Sequence, residues 1–211
     1  MIGLETRKYR LIGFEPILGS QPANPEIRSA FIASKAPEQA LRDEETEMFD
    51  PDVERDKGLT VFMRNPKSGA LALMDYAVKG MLKANVTALE ASNKIKQGSA
   101  KVGKYVFVSP RIVDICDLDG NPIKSCADDL ERPLRAKTMK GDRVALTSSE
   151  QVLAPWQIEF ELQLVPNNGT ERSKSVTWDA IEDALDYGSL NGLGQWHNGG
   201  YGRFSWQRID N

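Results

Sequence analysis

From Trp156 to Leu164 the chain alternates without a break, apolar at every even position and polar at every odd one, which predicts a strand with one packed and one wet face. Glu159 and Glu161 fall on the wet face, and the alternation accounts for them without a catalytic carboxylate pair. Lys8 to Phe14 predicts a first strand, ended by Glu15-Pro16 and a loop whose prolines, Pro22 and Pro25, have no N–H to give a ladder. Leu59 to Met63 predicts a short strand closed by the turn Asn65-Pro66-Lys67-Ser68-Gly69. Leu71, Met74, Val78, Met81 and Leu82 recur at three- and four-residue steps and predict a helix over about 70–84, with Asn85 as its stop and a weaker helix over 87–97. The β-branched and aromatic run Tyr105 to Ile115 predicts one long strand with Pro110 at an edge or bulge, followed by the turn Asp117 to Pro122. Thr177 is placed to cap a helix that buries Trp178, Ile181, Ala184 and Leu185 and ends near Gly188; Arg203 to Ile209 reads as a closing strand.

Strand, helix, glycine loop and strand in that order make half of a ferredoxin-like unit, in an α+β chain. One domain is expected over 1–211, with an acidic insertion at 43–57 and a glycine-rich loop at 188–202. Within the insertion, eight of the fourteen residues from Asp43 to Asp56 are acidic, a density that favours a solvated, partly mobile segment. It lacks the Asp-x-Asp-x-Asp-Gly spacing of a calcium loop.

Across 211 residues the net charge is −3, so a nucleic-acid partner would have to find a local basic patch. There is no run of 18 apolar residues and no apolar leader after Met1, and the cytoplasm is expected, with no membrane contact. Cys116 and Cys126, ten apart with a single histidine in the chain, argue against zinc sites and disulfides; no metal and no cofactor are expected.

Three segments carry candidate chemistry. Gly192 to Gly202 holds five glycines in eleven residues around Trp196, His197 and Tyr201, so its backbone can approach an anion closely while the rings offer stacking faces. It fits neither a P-loop nor a dinucleotide fingerprint, because its glycines follow a helix instead of opening one. Glu131 to Arg143 places five cations against two anions, enough to neutralise phosphates. Lys94 to Lys104 holds four lysines and no acid.

The helix from Trp178 to Tyr187, the loop Gly192-Leu193-Gly194 through Gly199-Gly200-Tyr201-Gly202-Arg203-Phe204 and the strand after it resemble the C-terminal glycine-rich motif of the RAMP superfamily, the ferredoxin-like proteins of CRISPR effector complexes. Glu131 to Leu146 with Ser148-Ser149-Glu150 is similar to small RAMP-type proteins of phages and prophages. The resemblance implies an α+β, ferredoxin-like (RRM-like) antiparallel sheet core with helices on one face and insertions, and binding of single-stranded RNA, or a related nucleic acid, in a basic groove closed by the glycine loop.

Arg132, Arg135, Lys137, Lys140 and Arg143 are the expected phosphate contacts, Gly194, Gly199, Gly200 and Gly202 the sites of close backbone approach, and Trp196 and Tyr201 the stacking rings. The expected partners are single-stranded RNA or DNA, further copies of the chain, and other phage or CRISPR-type subunits. Binding is expected in place of catalysis. One alternative is a metal-independent endoribonuclease using His197, the only catalytic candidate; another is a structural subunit of a phage assembly that makes contact through the acidic segment.

Overall fold

The structure is a computed structural model that describes residues 3–23, 59–138, 141–166 and 174–209. The acidic segment 43–57 therefore lies outside the described residues, as do Met139 and Lys140.

In chain order the elements begin with β1 (Glu5–Gly13), β2 (Ile17–Leu18), β3 (Gln21–Pro22), β4 (Leu59–Val61), β5 (Met63–Arg64) and β6 (Leu71–Met74). Then come α1 (Asp75–Ala88), α2 (Glu90–Asn93), α3 (Gly98–Tyr105), β7 (Val106–Ser109) and β8 (Ile112–Asp114). Last are β9 (Leu130–Thr138), β10 (Gly141–Ser149), β11 (Gln151–Val152), β12 (Trp156–Leu164), α4 (Trp178–Asn191) and β13 (Phe204–Arg208).

Four of these strands form one sheet in the order β13-β1-β12-β7, every neighbour antiparallel. Taken with α1 and α4, the sequence of elements is β1-α1-β7-β12-α4-β13, and the sheet order is fourth, first, third, second. That is the ferredoxin-like arrangement, a split βαβ repeated once. Both helices lie on the face that carries Tyr9, Leu11, Ile158, Phe160 and Leu162, and they bury Val78, Leu82, Val86, Ile181, Ala184 and Leu185 against it. They approach closely at Gly188, where a Cβ would stand 2.8 Å from Asn85 Nδ2. Fully buried Asn85 donates from Nδ2 to the Ala184 carbonyl at 3.0 Å, which ties the two helices together.

The opposite face of the two central strands is polar and charge-paired. Glu159 accepts from Lys8 at 2.8 Å and from Arg10 at 2.5 Å. The hydrogen bond from Lys8, together with that from Arg10, holds its carboxyl below the usual range despite partial burial.

The remaining strands belong to two insertions in this frame, one between β1 and α1 and one between β7 and β12. They combine into a second sheet, β3-β4-β10-β9, a three-stranded sheet, β5-β6-β8, and the pair β11-β2. Three sequence expectations change here. Residues 71–74, expected to open a helix, form the wholly buried strand β6, because helical and strand periods cannot be told apart over four apolar residues; the helix starts at Asp75 and runs past Asn85 to Ala88. The long strand 105–115 is two strands in different sheets, divided by the cis Ser109–Pro110 bond. The weaker helix at 87–97 shrinks to the single turn α2.

Candidate nucleic-acid interface

The glycine loop joins α4 to β13. Thr177 caps α4, its hydroxyl accepting from the Ala180 N–H at 3.3 Å, and Gly192 ends it with φ +90°. The two arms of the loop then meet backbone to backbone: Leu193 N–H donates to the Gly202 carbonyl at 3.0 Å, and Gly202 N–H to the Pro16 carbonyl at 2.7 Å. Neither arm has room for a side chain at the crossing. A Cβ on Gly202 would lie 1.9 Å from the Leu193 carbonyl oxygen, and one on Gly192 2.3 Å from that of Tyr201.

At the tip, a 3₁₀ turn His197–Gly199 projects the aromatic pair. Trp196 and Tyr201 stack with centroids 5.0 Å apart and planes 15° from parallel. Trp196 takes φ +54°, a left-handed conformation that costs an L-residue about 1–2 kcal/mol, so the surrounding contacts hold it there. Gly199 lies against the indole, where a Cβ would be 2.9 Å from Cε2.

The loop is anchored to the second sheet. Arg132 places its guanidinium carbon 5.0 Å from the Trp196 ring centroid and donates from Nη2 to Gln195 Oε1 at 2.9 Å. The same oxygen accepts from Thr60 Oγ1 at 3.1 Å, and Thr60 shares a 2.7 Å hydrogen bond with Ser149. Thr60 stands opposite both Pro22 and Ser149, and Arg132 opposite Thr147, so strands β4, β10 and β9 contribute to this polar seam, with β3 alongside β4.

Several expected site residues thus come together, with altered roles. Arg132 is only 6% exposed; it fixes Trp196 instead of meeting solvent. The N–H groups of Gly199, Gly200 and Gly202 donate to the Trp196, His197 and Pro16 carbonyls and close the loop on itself. Gly194 packs on β2, where a Cβ would lie 3.3 Å from the Leu18 carbonyl oxygen.

The other cations sit on the two-stranded ribbon of β9 and β10 beyond this seam. Arg135 stands opposite Val144, Lys137 opposite Asp142, and Arg143 opposite Ala136. Strand alternation puts positions 132 and 143 on one face of the ribbon and 135 and 137 on the other. Lys140 falls at the turn, outside the described residues.

His197 is half-buried, and its Nδ1 is enclosed with no hydrogen-bond partner. Gln195, Thr60 and Ser149 were not among the expected site residues. Only Gln195, a lone amide next to the loop's tryptophan, carried a hint in the sequence.

Among the described residues no group of three or more His, Cys, Asp or Glu could hold a metal, and no helix is long and apolar enough to cross a membrane.

No family model and no curated protein matches the chain. Among solved structures it is similar to a chain in the cryo-EM structure of the type III-B Cmr-beta bound to cognate target RNA. The TM-score is 0.46 at 10% identity; the match covers 98% of this chain, which spans 60% of the other.

Proposed function

We propose that this protein binds single-stranded nucleic acid, RNA foremost, as a RAMP-type subunit without catalytic activity, and that copies of it line up along the strand. The observation that carries the reading is the Tyr201–Trp196 stack, fixed by buried Arg132 at the root of a ribbon that carries Arg143 at a position on the same face. Bases stack on the rings and phosphates follow the ribbon; stacking of this kind contributes about 1–3 kcal/mol per base and tolerates any sequence. The two central strands of the ferredoxin-like sheet do not compete for the role, since their open face carries the Lys8–Glu159–Arg10 ion pairs where an RRM presents aromatic rings.

Fluorescence anisotropy with labelled single-stranded RNA tests the reading. Binding at low salt that weakens steeply as salt rises is expected. No binding, or binding indifferent to salt, overturns it. As a binding subunit without catalytic activity, the protein should leave RNA intact on incubation, and metal-independent cleavage that His197→Ala abolishes would favour the endoribonuclease reading.

A further inference from the structure

The sheet has two edges, and the glycine loop serves only the one formed by β13. At the other edge, β7 presents Phe107, 45% exposed, with Lys79 Nζ 5.0 Å from the centroid of its ring. Lys83 lies one helical turn further along α1, about 6 Å away along the axis. Its ammonium rests near Gly103, 3.6 Å from where a Cβ there would be, and exposed Lys104 is the next residue along α3.

Among the described residues none of these three lysines has a carboxylate within ion-pair distance. Asp75, one turn before Lys79 on α1, is the nearest counter-charge along the helix, and its Oδ1 accepts from the Tyr76 N–H. Burial, and then repulsion from Lys83, push the Lys79 ammonium below its usual pKa. Like charge thus gathers beside a part-exposed aromatic ring, with no carboxylate in ion-pair contact among the described residues and Asp75 as the counter-charge that acts on Lys79.

We infer that Phe107 with Lys79, Lys83 and Lys104 is a second single-stranded nucleic-acid contact, a base stacking on Phe107 while successive phosphates meet the lysines. An acidic peptide would satisfy the charges but has no use for the ring; a base with its phosphate uses both. This contact is separate from the Trp196 site, and each can fail alone.

The test compares anisotropy titrations of labelled single-stranded RNA on wild type, Phe107→Leu, the triple variant Lys79→Gln/Lys83→Gln/Lys104→Gln, and Trp196→Gly. All the altered edge side chains are at least partly solvent-exposed, and melting curves confirm that the variants fold. The triple variant should flatten the slope of log affinity against log salt by about 2, from about 0.7 per phosphate lost. Phe107→Leu keeps the apolar bulk and should weaken binding about fivefold or more. If Trp196→Gly weakens binding and the edge variants do not, the edge contact is wrong and the loop reading stands. If only the edge variants weaken it, the edge stands and the loop reading falls. A polyglutamate peptide that binds through the lysines, with RNA affinity unchanged in the triple variant, overturns the edge contact in favour of an acidic protein partner.

Discussion

Replacing Trp196 with glycine separates the role of the indole in binding from its role in the fold. The substitution removes a stacked aromatic pair worth about 0.5–1.5 kcal/mol and a guanidinium contact worth about 0.5–1 kcal/mol. It also relieves the left-handed strain at φ +54°, about 1–2 kcal/mol, although glycine raises the chain entropy of the unfolded state by about 0.5–1 kcal/mol. Strain relief offsets part of these losses; with the lost burial of the indole, up to about 1.5–3 kcal/mol for a large apolar side chain, urea unfolding should show a net destabilisation of about 2–4 kcal/mol. Binding has no such compensation: a lost stacking partner weakens RNA affinity by about 1–3 kcal/mol, roughly 5- to 150-fold. Trp196→Phe keeps a π-face and should keep most of the affinity. If Trp196→Gly stays folded and binds RNA within about twofold of wild type, the ring belongs to the loop's architecture alone and the reasoning fails.

Three further outcomes follow from the same geometry. Gly202→Ala should destabilise by more than about 2 kcal/mol in urea unfolding, because its Cβ would stand 1.9 Å from a carbonyl oxygen, whereas Gly200→Ala, with only Arg203 Cζ nearby at 3.9 Å, should show the backbone strain of about 1–2 kcal/mol alone; equal losses would contradict this. Asn85→Ala removes the bond to the Ala184 carbonyl from a fully buried site and should cost about 2 kcal/mol, and a loss under about 0.5 kcal/mol would mean that the helices do not depend on it. Burial raises the Glu150 pKa, but hydrogen bonds from Arg64 and from the Phe62 N–H outweigh it and hold the carboxyl below its ordinary value. Its contribution is therefore complete above the ordinary carboxylate range and is lost as pH falls; stability measured against pH below about 5 should fall less steeply in Arg64→Met than in wild type, and identical slopes would refute the coupling.

The frame was legible wherever a period could run its length. Trp156 to Leu164 gave nine alternating positions, and the strand occupies those nine residues. Thr177 marked the start of α4, where its hydroxyl does accept the capping bond, although the helix continues past Gly188 to Asn191. Short segments misled: Leu71 to Met74 is apolar at every position, a pattern that suits a buried strand and a helix equally. The ribbon of β9 and β10 alternates apolar and charged positions only over Leu134-Arg135-Ala136-Lys137, too short a run to mark a strand pair, and the pairing is seen only in the structure. The glycine loop stood out by composition, but not what its glycines do. That Gly192 and Gly202 face each other's arms depends on a closure with Pro16, far away in sequence. Gln195, Thr60 and Ser149 were missed because a polar seam is made by tertiary contact between β4, β10 and the loop, and no local spacing encodes it.

Photocrosslinking of thiouridine-labelled single-stranded RNA, with the adducts mapped by mass spectrometry, tests most directly whether the aromatic loop and the cationic ribbon form one surface. Adducts on Trp196 or Tyr201 together with the 130–149 ribbon are the expected result. Adducts confined to the charge-paired face of the central sheet, around Lys8, Arg10 and Glu159, would contradict it.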